Sequence, residues 1–307
     1  MKYVPRFVLA LTVSALAIPL TSALGASAMA SPPGCVVSLS PTATETLFAI
    51  GAGKQVQAVD KDSNYPTKGL PRTRVDALNP SVESIIGVCH ATPTHPSKKP
   101  NVVIISYNAN SIQQKLTALG IKVIYQGAPS SLSGAYAQIN QLGRVTGHVA
   151  SAAHLVASLK KTIARDVASV PAHPSKNVTT YYEIDPTGYS VTSSTFVGAL
   201  LKSLGVTNIA DAQSTSADGG YPQLTPEYVV SANPTLIFLA DTLCCAATAQ
   251  SVAARPGFSN VSAVMHNHVV GLSDDVASRW GPRLGLLMNQ LTAAVKSVLA
   301  DATVWNG

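Results

Sequence analysis

Several residue groups in the chain could in principle do chemistry. Seven histidines, His90, His95, His148, His154, His173, His266 and His268, could hold a metal ion. They fall mostly in loops or along one long helical stretch, which disfavours a bare-metal site. The usual zinc spacing of two C-x-x-C pairs is absent. Gly51-Ala52-Gly53-Lys54 superficially suggests a phosphate-binding turn. It follows a predicted helix and lacks the Lys-Ser/Thr ending of a true phosphate loop. No G-x-S-x-G nucleophile elbow occurs, so no hydrolytic serine is marked and no catalytic residue is assigned. The chain's tyrosines and tryptophans offer flat apolar area with a polar tip.

Four cysteines, Cys35, Cys89, Cys244 and Cys245, fit an oxidising compartment, and three pairings are open. Cys35 begins the predicted strand Val36–Leu39, and Cys89 precedes the apolar run 101–105, which reads as a parallel neighbour. Strand starts in a parallel sheet share an edge, so a Cys35–Cys89 bridge is plausible. Cys244 and Cys245 are adjacent, and a bond between them would force a strained turn after the strand 235–239.

The elements that must position these residues alternate between strand and helix, which argues for parallel sheets. Val36–Leu39 is a strand, Ser40-Pro41-Thr42 a turn, and a helix with Thr42 or Thr44 as cap runs to Gly51. Strands are expected at 56–59, 102–105, 123–125, 178–184, 235–239 and 269–272. Helices are expected at 112–119, 132–145, 195–204 and from Arg283 onward. Two further helix starts follow Pro-containing turns, at Ser81-Val82-Glu83 and at Thr225-Pro226-Glu227. Ser106 to Asn110 lies beyond the carboxyl end of a strand, where open α/β sheets bind ligands. From Ala150 to Val170 apolar residues recur at helical spacing without Gly or Pro, for a reach of roughly 30 Å. That length equally suits a surface helix or a crossing between two lobes.

With 307 residues the chain can bury the cores of two lobes, and 46% hydrophobic against 12% charged residues marks it as globular. Residues 1–30 have the form of a signal peptide: Lys2 and Arg6, the apolar span 8–24, and an Ala28-Met29-Ala30 cleavage pattern. The alternative, a permanent membrane anchor, is disfavoured by the small residues and the cleavage pattern. The formal charge of +6 falls to 19 − 15 = +4 when Lys2 and Arg6 leave with the leader. The excess would suit anionic ligands, but it is spread along the chain without the basic run of a nucleic-acid binder. Cys35 follows Pro32-Pro33-Gly34, a poor lipoprotein signal, and abuts the first strand with no linker, so a lipid anchor is disfavoured.

The string VSLSPTATETLFAIGAG, followed by VQAVDKDSNYP and LNPSVESII, resembles the opening of the extracytoplasmic binding proteins that serve vitamin B12, haem and iron–siderophore ABC importers. The resemblance implies two Rossmann-like α/β lobes with mainly parallel sheets, residues 31–149 and 172–307, joined by one rigid helix at 150–171. It implies no enzyme activity and no cofactor. It implies instead a monomer that captures a metal chelate between its lobes and delivers it to a permease and, through that, an ATPase. Tyr65 stands in the family's tyrosine-proline pair, Tyr189 in GYSVTSS and Tyr221 in GGYPQLTPE match cleft aromatics, and Arg279 in SRWGPR matches a cleft arginine. With Tyr107 and Trp280 these form the expected ligand set, and the arginine could pair with propionate, phosphate or siderophore oxygens.

Glu83 and Glu227 occupy matching places in the two halves. An acid in a first helical turn is favoured by the macrodipole alone. The resemblance implies a further role for this pair, as knobs that dock on permease arginines. Relative to the family pattern the chain carries an insertion of about ten residues around His90 and His95. Asp62 and Ala77 replace aromatic residues of vitamin B12-binding members, which weakens cobalamin as ligand, and haem would need an axial ligand such as Tyr107 or His90. The alternatives are a free transition-metal ion as ligand, or a secreted hydrolase or adhesion module on the same lobes.

Overall fold

The computed structural model describes residues 1, 34–91, 96–173 and 176–305. The expected signal peptide and His95 lie outside the described residues, apart from Met1.

The first half opens with β1 (Val36–Leu39), α1 (Pro41–Ala49), β2 (Val56–Asp60) and β3 (Arg74–Val75). It continues through β4 (Val102–Ile105), α2 (Ile112–Ala118), β5 (Lys122–Tyr125) and α3 (Leu132–Thr146). All pairings are parallel and the strand order is β3-β2-β1-β4-β5. Every residue of β1 and β4 is buried, as expected of strands covered on both faces. Helix α1 is capped by Ser40, whose Oγ accepts from Ala43 N, rather than by Thr42 or Thr44. Ser40 has the extended backbone that a cap requires, and Pro41 then occupies the first helical turn. Gly51, at φ +89°, lets the chain leave that helix.

Helix α4 (Val149–Ala168) crosses to the second half. It packs on α3 across a close contact at Gly143, where an added Cβ would collide with that of Ala152. The second half contains β6 (Thr179–Glu183), α5 (Phe196–Ser203), β7 (Thr207–Asn208), α6 (Pro226–Ala232) and β8 (Leu236–Leu239). Then come α7 (Ala249–Ala253), α8 (Ser262–Met265), β9 (Val269–Gly271), α9 (Asp274–Ala277), α10 (Leu284–Ala300) and α11 (Ala302–Trp305). Its sheet is again parallel, in the order β7-β6-β8-β9. Helix α10 packs on α4, so one hydrophobic core runs from the first sheet through these helices into the second. No helix among the described residues is long and apolar enough to cross a membrane.

Of the two matching helix starts, one stands and one changes. Thr225 does cap α6, accepting from Tyr228 N, with Pro226 and Glu227 in the first turn. The matching segment at Ser81 instead makes one hydrogen-bonded turn and no helix. Ser81 and Ser84 cap each other reciprocally, but Gly87 at φ +107° and the Cys35–Cys89 disulfide turn the chain away within a few residues. That disulfide joins the start of β1 to the segment preceding β4, as the strand geometry predicts. Cys244 and Cys245 form a second, vicinal pair.

Candidate ligand cleft

The two sheets present the carboxyl ends of their strands to a common cleft. Ser40 follows β1, Lys61, Asp62 and Asn64 follow β2, and Ser106 follows β4. With Asp274, Asp275 and Arg279 they line an outer cavity of about 500 Å³. An inner pocket of about 180 Å³ opens beside it, lined by Tyr182, Ile184, Phe196, Tyr221 and Ala240. Ser278 and Trp280 border both spaces. The outer cavity is walled by hydroxyl, amide and charged groups, whereas the inner pocket carries no charged side chain.

Hydroxyls beneath the outer cavity form a connected chain. Ser63 Oγ lies 2.8 Å from Thr44 Oγ1, and Thr44 Oγ1 donates to Ser38 Oγ at 2.9 Å. Ser63 also bonds the buried Asp60 carboxylate. Burial raises the Asp60 pKa, and the bonds from Ser63 and the Asp62 amide only partly offset it.

The floor is a cluster of four ionisable side chains at the seam between lobes. Glu45, fully buried on α1, accepts from Arg279 Nη1 at 2.8 Å. It also accepts from Arg283 Nε at 2.9 Å and Arg283 Nη2 at 2.6 Å. Arg279 donates further to Asn64 Oδ1 at 2.8 Å, to the Asp62 carbonyl at 3.0 Å and to Asp275. Asn64 Nδ2 donates to Asp275 at 2.7 Å, closing the ring of contacts. Glu45, Asp275, Asn64 and Arg283 were not singled out by sequence reasoning. The available signal is the spacing Asp275, Arg279, Arg283, three charged residues four apart.

The expected ligand residues separate into two groups. Arg279 and Trp280 line the outer cavity, and Tyr221 and Trp280 the inner pocket. Trp280 Nε1 donates to Gln138 Oε1 on α3 at 2.7 Å, which holds the indole across the seam. Tyr65 is 40% exposed, beside the cis Tyr65–Pro66 bond, with the Arg283 guanidinium 4.6 Å from its ring centre. Tyr107 is 64% exposed and Tyr189, whose backbone pairs with Gln223, is 42% exposed. Neither of them, nor Tyr65, lines the two cavities. Arg279 is only 7% exposed, and its guanidinium is occupied by protein acceptors. Asp62 lines the outer cavity, while Ala77 packs against the core of the first lobe. Glu83 and Glu227 are both exposed.

Behind the inner pocket the second lobe buries two carboxylates. Glu183 takes both arms of Arg255, at 2.6 and 2.7 Å. Asp241 is fully buried, and neither carboxylate oxygen has a partner among the described residues. Desolvation and the nearby Glu183 charge push its pKa up to about 6. His90 is exposed and lines neither cavity, and no group of three His, Cys, Asp or Glu among the described residues is placed to hold a metal ion.

Comparison with known proteins agrees with this arrangement. The sequence profile described as periplasmic binding protein matches residues 36–276. An uncharacterized ABC transporter substrate-binding lipoprotein of Bacillus subtilis is 31% identical over 261 residues, covering 82% of this chain and 76% of the relative. A cobalamin-binding protein of Halobacterium salinarum is 30% identical over 262 residues, covering 83% and 67%. Among solved structures, the periplasmic vitamin B12-binding protein of Vibrio cholerae matches with TM-score 0.69 at 22% identity, over 88% of this chain and 99% of that one. The periplasmic haem-binding protein from Roseiflexus, in its apo form, matches with TM-score 0.72 at 22% identity, over 86% and 98%. The two solved structures speak to the fold, and the profile and curated relatives to kinship. The chain belongs to the periplasmic binding protein family, whose members act outside the cytoplasm by binding solutes and not by catalysis.

Proposed function

We propose that this protein is the substrate-binding component of an ABC importer, capturing a metal chelate, whether iron–siderophore, haem or cobalamin, between its lobes. The observation that carries this reading is the two-part cleft at the carboxyl ends of both sheets, polar outside and apolar inside. The kinship to a named ABC transporter component and to a cobalamin-binding protein supports it. In this reading the lobes are 31–149 and 172–307, and the helix at 150–171 restricts their travel. Trp280 and Tyr221 contact the ligand inside, Arg279 shapes the wall, and Tyr65, Tyr107 and Tyr189 meet it at the rim. The protein works as a monomer, and ligand shifts its closed or docked population only by differential affinity. Glu83 and Glu227 dock on the permease, and the ATPase acts through that partner. In this reading the sulfur of Cys35 serves the disulfide with Cys89 rather than a lipid anchor.

Tryptophan quenching tests the ligand reading. The chain has two tryptophans, and Trp305 bonds the Val298 carbonyl on α10, away from the cavity lining. Saturable quenching by haemin, cyanocobalamin or a ferric siderophore, largely lost in Trp280→Phe, is expected. Absence of binding by every probe to folded protein defeats the reading. For docking, charge reversal at Glu83 and Glu227 should lower uptake while binding survives; unchanged uptake sinks that assignment.

A further inference from the structure

The chain as a whole is basic, with a formal charge of +6, but its cleft is not. Two cations, Lys61 and Arg279, line the outer cavity against three carboxylates, Asp62, Asp274 and Asp275. Both cations are already engaged. Lys61 pairs with Asp76 at 2.8 Å, and Arg279 bonds Glu45 and Asp275. Arg283, the next cation in the seam, binds Glu45 through two nitrogens and covers Tyr65. With these neighbours counted, three cations (Lys61, Arg279, Arg283) face five carboxylates (Glu45, Asp62, Asp76, Asp274, Asp275). Asp274 is held by the Leu243 and Cys244 amides and the Thr242 hydroxyl, dipoles that leave its charge in place. The Asp62 carboxylate has no cationic partner among the described residues. Of the remaining polar wall, the Asn64 amide already bonds Arg279 and Asp275 and Ser278 Oγ already donates to the Asp274 carbonyl, which leaves the hydroxyls of Ser40, Thr42 and Ser106.

We infer that this cleft selects uncharged or cationic chelates bearing amide or hydroxamate groups, and discriminates against anionic ones. The inference rests on the chelate-binding reading and narrows it. A carboxylate or catecholate ligand entering here would bring negative charge beside Asp62 and Asp274, where the two lining cations, Lys61 and Arg279, already pair with Asp76 and with Glu45 and Asp275. An amide or hydroxamate ligand would find the hydroxyls of Ser40, Thr42 and Ser106. Repulsion of a like charge in a partly enclosed cavity exceeds that at an open surface, because less water screens it.

The test measures Trp280 quenching of the full exported protein by four probes: cyanocobalamin, ferrioxamine B, haemin and ferric enterobactin. The first is uncharged, the second cationic and the last two anionic. An uncharged or cationic probe is expected to bind at least about tenfold more tightly than either anionic probe. Raising salt should narrow the gap by screening the repulsion. Asp62→Lys, at an exposed position, should narrow it further, with circular dichroism confirming the fold. If haemin or ferric enterobactin binds most tightly, or the gap ignores both salt and Asp62→Lys, this inference is overturned while chelate binding stands. If no probe binds, the chelate reading falls and takes the inference with it.

Discussion

Glu45 at the seam and Asp241 behind the inner pocket are both fully buried carboxylates beside the same cleft, and they meet opposite fates. At the seam, two arginines serve two acids: Arg279 and Arg283 bind Glu45, and Arg279 also binds Asp275. In the second lobe, one arginine faces two acids, and Arg255 gives both arms to Glu183. Asp241 is left with neither oxygen satisfied among the described residues and with a pKa raised to about 6. Burial is the same in both places; the supply of donors differs. Where donors suffice, a buried charge becomes a fixed joint between lobes. Where they do not, the group resists ionisation.

The largest effect should come from breaking the joint. Glu45→Ala leaves Arg279 and Arg283 facing a void, and should cost about 3–5 kcal/mol in urea unfolding. A cost near that of a surface pair would show that the seam is no joint. Arg255→Met strands Glu183, and should cost about 3 kcal/mol, somewhat less because this arginine is partly exposed. Asp241→Asn acts in the other direction. The folded pKa is raised, so wild-type protein takes up a proton as pH falls through about 6, while the unfolded chain waits until near 3.8. Stability from this group is therefore full below the unfolded value and is lost as pH rises through about 6. Asp241→Asn should flatten that loss and gain about 1 kcal/mol near neutrality, read as melting temperature against pH. An unchanged pH profile would mean that Asp241 ionises freely. The smallest effect belongs to the exposed Lys61–Asp76 pair, where Lys61→Ala should cost under about 1 kcal/mol and vanish in high salt.

Much of the fold was legible because local rules and global need agree. The buried runs 36–39 and 102–105 read as strands, Gly51 as a helix stop, and Thr225-Pro226-Glu227 as a capped start, and each stands so. The Cys35–Cys89 bond followed from the shared edge of parallel strand starts. Ser81 failed as a helix start because a good cap cannot outweigh Gly87 and a disulfide a few residues on. Of the cleft, Trp280 and Tyr221 were legible as aromatic wall. Arg279 was legible as a cleft residue but not in its partners. Glu45 was missed because one glutamate among threonines on a short helix looks like a solvated residue. Only partners more than two hundred positions away make its burial tolerable.

That separation bears on how the molecule is assembled. The contacts of Glu45 with Arg279 and Arg283 span 234 and 238 residues, whereas each sheet draws its strands from one continuous half of the sequence. In a chain delivered N-terminus first, β1 to β5 can pair while the arginines have still to emerge. Glu45 must then wait in water on a surface it will later lose. The seam can close only when the final quarter of the chain arrives, and because that quarter also brings β8, β9 and α10, the second lobe and the cleft are completed together.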